Sequence, residues 1–427
     1  MTTTTPLSHR LAIGPWYFGW NIVAAGSLLT LLTVGMRMSI GPFFLPIAAD
    51  LGFSRSLLAG IVAVGMLVYG LAMPLAAHLV NLRGTRFVLL AGTAMVVAGA
   101  GWTVVARDAA SFMLAFGVLL SVGLAFTSPV AVTPVISKWF ERQRGMALLF
   151  LSTGSMAGMA IMTPVLSLAI DAFGWQRTLA GFGGAFLVLA LPMALLVVRD
   201  DAPEHKDVPA GEGGHRVALA PAPLAHLPFL RAIRTAPFVM VALGLFACGY
   251  SMNLLGAHGV PMLMDHGFDA ASSSLGIGLI GAVAILGTLV LGRMADRLPR
   301  KKLLAAIYFV RGLGFFALVV AGTHLELYAV SVIGGLVWAG SIALSSAILA
   351  DVYGIRLVGL LYGWTYVGHQ IGGMISSWLG GWGFDTWGTH WPAFGSAGVL
   401  LLLAAAVVLR LPSREAAREP AALAARP

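Results

Sequence analysis

Long apolar runs and short polar segments alternate along the chain, and the alternation repeats twelve times. Apolar stretches of about 20 residues, the length that crosses a roughly 30 Å hydrocarbon layer as a helix, fall at 18–45, 56–80, 87–106, 111–136, 146–170, 177–198, 237–263, 272–295, 303–322, 327–349, 358–381 and 391–410. None shows the ten-residue alternating pattern of barrel strands. The pattern predicts an all-α polytopic membrane protein with twelve transmembrane helices. Composition agrees: 59% of the 427 residues are hydrophobic and 10% charged, whereas a water-soluble domain needs about 25% charged residues to clothe its surface.

The chain also repeats itself at an offset of about 214 residues. Arg142 and Gly145 recur as Arg356 and Gly359, Gly154 and Gly158 as Gly368 and Gly372, and Asp171 and Gly174 as Asp385 and Gly388. At an offset of 215, Gly52-Phe53 recurs as Gly267-Phe268, and Gly84 falls opposite Pro299. Six helices separate each pair, so both copies cross the membrane in the same sense. This is the parallel two-half arrangement in which a substrate sits between the halves near the bilayer midplane. The expected organisation is an N-terminal tail at 1–17, a six-helix half at 18–198, a linker at 199–235, a second half at 236–411 and a C-terminal tail at 412–427. The linker is polar and carries Pro203, Pro209, Pro221, Pro223 and Pro228, a composition suited to a flexible connection. Residues 1–17 are polar and Thr-rich, and the first apolar run is much longer than a signal-peptide core, so no cleavable signal is expected.

The net charge of +9 changes meaning once it is mapped. With the N-terminus cytoplasmic, loops on that side hold 21 of the 26 Lys and Arg, and the opposite side holds three, Arg55, Arg107 and Arg177. Such asymmetry points to both termini inside. The basic balance therefore reflects topology, and no nucleic-acid partner is expected. The single cysteine, Cys248, excludes an internal disulfide framework.

Particular segments carry a family likeness. Gly292-Arg-Met-Ala-Asp296-Arg-Leu-Pro-Arg-Lys301 resembles the signature loop of the major facilitator superfamily between its eighth and ninth helices. The counterpart between the second and third, Ala77-His-Leu-Val-Asn81-Leu-Arg-Gly84-Thr-Arg86, has Asn81 in place of the usual Asp. The resemblance implies a conformational latch built from Asn81, Arg83, Arg86, Asp296, Arg297 and Arg300, weaker on the N-terminal side. Within that superfamily, Arg37-Met-Ser-Ile-Gly-Pro-Phe-Phe-Leu-Pro46, Leu51-Gly-Phe-Ser-Arg55, Trp139-Phe140 with Arg144-Gly-Met-Ala147, and Phe173-Gly-Trp-Gln-Arg177 resemble the monocarboxylate and oxalate/formate branch and its bacterial relatives. One departure stands out. The arginine that those transporters carry in the eighth helix aligns here with Thr288, and their lysine late in the first helix falls near Met38, beside Arg37.

An ionised side chain in hydrocarbon costs several kcal/mol and marks a functional position by default. All seventeen acids fall in loops or at helix ends. The apolar stretches retain only Arg37, Arg311, His258 and His369 as charged or titratable candidates. A cavity with cations and no fixed acid favours an anionic ligand and disfavours cationic cargo. Arg37 lies about 12 Å deep at 1.5 Å per residue, and its guanidinium suits a carboxylate; the alternative is that it snorkels outward or ties down helix-end carbonyls. His258 and His369 titrate in a range suited to a coupling proton, or act as hydrogen-bonding residues between helices. Gln370 follows His369, and Tyr250, Asn253 and Tyr366 are candidates to line the same cavity, as are Tyr69 and Trp338. Arg311 is expected to bond neighbouring carbonyls in a peripheral helix.

The reading these features support is secondary active transport of a small organic anion, a monocarboxylate by resemblance, with protons as the coupling ion. Anion exchange, export of a hydrophobic or zwitterionic compound, and a non-transporting sensor are the alternatives. No Gly-x-x-x-x-Gly-Lys-Ser/Thr loop is present, which excludes a primary pump within this chain. Neither paired acids nor metal-ligand spacing occurs at membrane depth, so no enzyme activity and no cofactor is expected. The expected setting is a bacterial inner membrane, with the oligomeric state open and a monomer compatible with the sequence.

Overall fold

Proline and glycine decide where the predicted helices run straight and where they break. The computed structural model describes residues 17–140, 143–201, 223–224 and 227–411, with the side chains of Asp296, Ile355 and Arg356 outside that description. Among these residues, eleven helical spans are long and apolar enough to cross a bilayer. A further helix, Ile355–Trp387, has 33 residues and carries His369 and Gln370. In chain order the elements are α1 (Gly19–Met38), α2 (Gly41–Leu51), α3 (Arg55–Arg83), α4 (Thr85–Val105), α5 (Ala109–Trp139), α6 (Arg144–Phe173) and α7 (Trp175–Val197). After the linker come α8 (Ala236–Asp265), α9 (Ala270–Arg297), α10 (Arg300–Val320), α11 (His324–Tyr353), α12 (Ile355–Trp387) and α13 (Trp391–Val408). Most of the linker and both tails lie outside the described residues.

The expected single helix over 18–45 is in fact two. Pro42 lacks the N–H that a continuous helix needs, and its ring crowds the carbonyl four residues back. α1 therefore stops at Met38 and α2 restarts at Gly41. Ser39, in the gap, pairs its hydroxyl with that of Thr163 on α6 at 2.8 Å. α5 is interrupted at Thr127–Ser128, just before Pro129, and Thr127 pairs with Thr33 of α1 at 3.1 Å. α11 is interrupted at 337–339. Arg311 of α10 donates to the carbonyls of Val337 (3.2 Å) and Trp338 there, and to Cys248 Sγ at 3.3 Å. Its expected role on neighbouring carbonyls is the one the structure displays.

The sequence repeat becomes a repeat of contacts. A side-chain carbon at Gly158 of α6 would collide with the backbone of Leu31 and Gly35 of α1. One at Gly372 of α12 would collide with the backbone of Phe246 and Tyr250 of α8. The six positions form three pairs related by 214 or 215 residues, so the same backbone-to-backbone approach, available only to small residues, closes each half.

After an even number of crossings both ends of the chain reach one end of the bundle, here called proximal; the other end is distal. The contacts that join the halves lie at mid-depth and toward the distal end. Gly70 of α3 meets Gln370 of α12, and Gly281 of α9 meets Met156 and Ala160 of α6. Gly41 of α2 meets Gly256 of α8. At the distal rim Arg55 makes a two-pronged ion pair with Asp265, Nη2 to Oδ1 at 2.9 Å. Ser56 donates its backbone N–H to Asp385 at 2.7 Å.

Candidate functional site

The break after α1 creates the site. Arg37 occupies the last turn of α1, where the carbonyl end of the helix favours a cation. It is 7% exposed, and two helices of the opposite half hold it. Nη2 donates to Asn253 Oδ1 on α8 at 2.6 Å and to Gln370 Oε1 on α12 at 2.7 Å. The amide of Asn253 is oriented for this, because its Nδ2 donates to Gly249 O at 2.8 Å and turns the oxygen toward Arg37. The ring of Tyr69 on α3 lies 4.4 Å from the guanidinium carbon, a cation–π contact.

Among the described residues every partner of this guanidinium is neutral, and the surroundings hold unused polar atoms. Arg37 Nε, Gln370 Nε2 and both ring nitrogens of His369 are buried without a hydrogen-bond partner among the described residues. Buried polar groups are normally paired, so an unpaired set around a buried cation describes a place for an acceptor-rich anion. His369 stacks flat on Tyr366, with centroids 4.9 Å apart. Beside Arg37 a small cavity of roughly 30 Å³ lies between α1, α3 and α5. Its walls are mainly apolar, with Met36, Ile40, Val62, Met66, Phe116 and Leu120 against the polar end at Arg37 and Tyr69.

The structure thus gathers Arg37, Asn253, Gln370, His369 and Tyr366 into one neighbourhood. It puts two other expected residues elsewhere. His258 Nε2 contacts Ser377 O at 2.7 Å and its ring meets Phe44 edge-on, in the seam between α8 and α12. Tyr250 hydrogen-bonds Ser396 of α13 at 2.7 Å. Thr288 donates to Ala284 O within α9 at 2.7 Å. Of the latch candidates, Arg86 binds the carbonyls of Ala194 (3.1 Å) and Leu195 (2.6 Å), and Arg83 lies 5.0 Å over Phe87. Arg300 pairs with Asp351 at 2.6 Å. Asn81 and Arg297 are exposed, and the side chain of Asp296 lies outside the described residues. Sequence reasoning gave the distal group of Arg55, Asp265, Asp385 and His390 no role. The internal repeat held a signal for it, since Asp50 and Asp265 are 215 residues apart and Gln176 and His390 are 214 apart.

Two six-helix halves, broken helices lining a central buried cation and short basic proximal loops define an integral membrane protein of the transporter class. The chain belongs to the Major Facilitator Superfamily, whose family model matches residues 26–319 and 242–426. It is 27% identical over 383 residues to the uncharacterized MFS-type transporter YcxA of Bacillus subtilis (strain 168), covering 87% of this chain and 88% of that one. It is 29% identical to human monocarboxylate transporter 11, covering 96% and 86%. Two solved structures share the fold. A bacterial homologue of the human lysosomal transporter Spinster, inward-facing and unoccupied, superposes with a TM-score of 0.67 at 17% identity over 95% of this chain and 98% of that one. A D-xylose–proton symporter gives 0.73 at 14% identity over 94% and 99%.

Proposed function

We propose that this protein is a secondary active transporter that moves a small monocarboxylate across a bacterial inner membrane by alternating access, coupled to protons. The observation that carries the reading is Arg37: a buried guanidinium with only neutral partners among the described residues, beside the unpaired polar atoms of Gln370 and His369 on the opposite half. A carboxylate entering there accepts from Arg37 and Gln370 Nε2, and its oxygens neutralise a charge that the protein leaves uncompensated. The apolar walls beside Arg37 suit a short hydrocarbon tail. His369, with both ring nitrogens free, is the group best disposed to exchange a proton with the bound acid. His258 is already engaged with Ser377 O.

The position of the cation supports the alternating-access reading. Arg37 belongs to one half and two of its acceptors to the other, so an anion that replaces those acceptors changes what holds the halves together. The positive-inside asymmetry supports cytoplasmic termini, which makes the distal rim the outer face. Likeness to monocarboxylate transporter 11 agrees with the cargo class without fixing the cargo.

The test is uptake of a panel of short monocarboxylates into proteoliposomes, with and without an inwardly directed proton gradient. Gradient-stimulated uptake supports coupled transport. Uptake that ignores the gradient but needs internal anion replaces coupling with exchange. No monocarboxylate uptake under any condition refutes the cargo assignment.

A further inference from the structure

A second cross-half polar cluster lies at the distal rim. Asp265 ends α8 and takes the two-pronged ion pair from Arg55 at the start of α3. The same carboxylate accepts from His390 Nε2 at 2.9 Å. Arg55 also covers the ring of Phe384 at 3.9 Å, and Ser56 beside it is held by Asp385. These contacts tie α3 of one half to α8 and α12 of the other.

The internal repeat supplies a control inside the same molecule. Asp50 ends α2 as Asp265 ends α8, and Gln176 opens α7 where His390 precedes α13. Gln176 donates to Asp50 at 2.7 Å, as His390 does to Asp265. One half therefore completes this contact with an amide that cannot titrate, and the other with an imidazole that can. The half with the imidazole is also the one whose aspartate holds the cross-half arginine; the repeat mate of Arg55 is Ala270.

Nδ1 is the ring atom of His390 left to take a further proton. Its Nε2 carries the hydrogen given to Asp265, which leaves Nδ1 as a lone pair, and Nδ1 is buried without a partner among the described residues. The ring is 3% exposed, set 4.6 Å from Phe384 and 6.2 Å edge-on to Phe394. The titratable and charged groups facing this cluster are Asp265, His266 and His258 on α8 and its end, Arg55 on α3 and Asp385 on α12. His266 lies 6.0 Å from His390 ring to ring, and its partial burial lowers its pKa, as does His390 beside it.

We propose that His390 is a proton-binding site that releases the distal lock when it is occupied. A proton from the outer solution adds to Nδ1, and the imidazolium keeps its Nε2–H on Asp265. Two cations then share one carboxylate. Among the described residues the buried imidazolium has no ion-pair partner other than Asp265, while Arg55, 21% exposed at its side chain, gains water when it lets go. The carboxylate therefore stays with His390, and the bond across the halves is the one that loosens. Acid outside favours the outward-open form. The inference rests on the alternating-access part of the proposed function and is independent of the cargo.

The experiment is a distance measurement by electron spin resonance on protein in lipid nanodiscs, with nitroxides at Ala110→Cys and Leu325→Cys in a Cys248→Ser background. Both labelled positions are exposed, one at the distal end of each half. As the pH is lowered from about 8 to about 5, the open-to-closed ratio at the distal end should rise on the order of ten-fold. His390→Gln, which copies the contact Gln176 makes to Asp50, should stay closed throughout; His266→Gln should titrate like the parent. Asp265→Asn should be open at every pH. A His390→Gln protein that still titrates, or a parent that does not respond while Asp265→Asn is open, overturns the proton site and leaves alternation intact. A distal distance that stays closed in Asp265→Asn overturns the lock itself, and with it the access model drawn from it.

Discussion

Replacing Arg37 by Gln separates what the guanidinium does for cargo from what it does for the fold. The structure gives Arg37 two hydrogen bonds, to Asn253 Oδ1 and Gln370 Oε1. Removing them leaves two buried amide oxygens short of a donor, at about 1–3 kcal/mol each. Against that, the substitution removes a buried charge with no acidic partner among the described residues, whose desolvation penalty is several kcal/mol. The two effects are comparable, so Arg37→Gln should fold and melt within a few degrees of the parent. Binding is not balanced in this way. Losing one partner of a desolvated charge pair costs about 2–5 kcal/mol, and each 1.4 kcal/mol is a factor of ten. Affinity for a monocarboxylate should therefore fall by roughly 30- to several-thousand-fold. Arg37→Lys, which keeps the charge but loses the fork, should lie between. The assay is uptake into proteoliposomes over a range of external anion, with melting in detergent as the control for folding. Parent-like uptake by a well-folded Arg37→Gln would remove the arginine from the cargo site and leave it a structural tie between halves.

Other expectations can be checked with the same preparations. His369→Gln should fold normally and lose gradient-stimulated uptake, whereas His258→Gln should retain it because that ring is already engaged with Ser377 O and Phe44; the reverse ranking would reassign the proton. Arg311→Met leaves the carbonyls of Val337 and Trp338 without their donor and should destabilise the protein by about 2 kcal/mol or more with cargo selectivity unchanged, read by melting and by competition uptake. Gly158→Ala forces carbon into the backbone of α1 and should cost about 1–3 kcal/mol. Gly184→Ala, which meets nothing within 4 Å, should stay within about 0.5 kcal/mol. Equal melting of the two glycine variants would refute the close-approach account.

Under the proposed function, the Arg37 site and the distal rim divide the work of a two-state carrier. In that scheme mid-depth chemistry recognises the cargo through a cation shared between halves. The rim holds the halves together through Arg55 and Asp265, where solvent and its protons arrive. Both use residues present in only one copy of the repeat: Met252 stands at the mate of Arg37, and Ala270 at the mate of Arg55. A symmetric scaffold thus carries asymmetric chemistry.

Much of this was readable along the chain because the bilayer imposes a local rule. Each span must satisfy its own backbone hydrogen bonds within a fixed thickness, so length and hydropathy alone yield the helices, and a repeated glycine spacing yields the two halves. The rarity of charge in hydrocarbon singled out Arg37 before any coordinates. What the sequence left open depends on distances between helices far apart in the chain. The 216 residues separating Arg37 from Asn253 say nothing about whether the two meet, nor does the hydropathy of the first stretch show that Pro42 ends α1 one residue beyond the cation. Gln370 joins Arg37 while His258 and Tyr250 turn into other seams, because helix rotation about its axis decides which face looks inward. The distal lock escaped notice for a related reason. Asp265 and His390 are ordinary helix-end residues in sequence, and only packing of the two halves brings the carboxylate, the imidazole and the opposing arginine into one cluster.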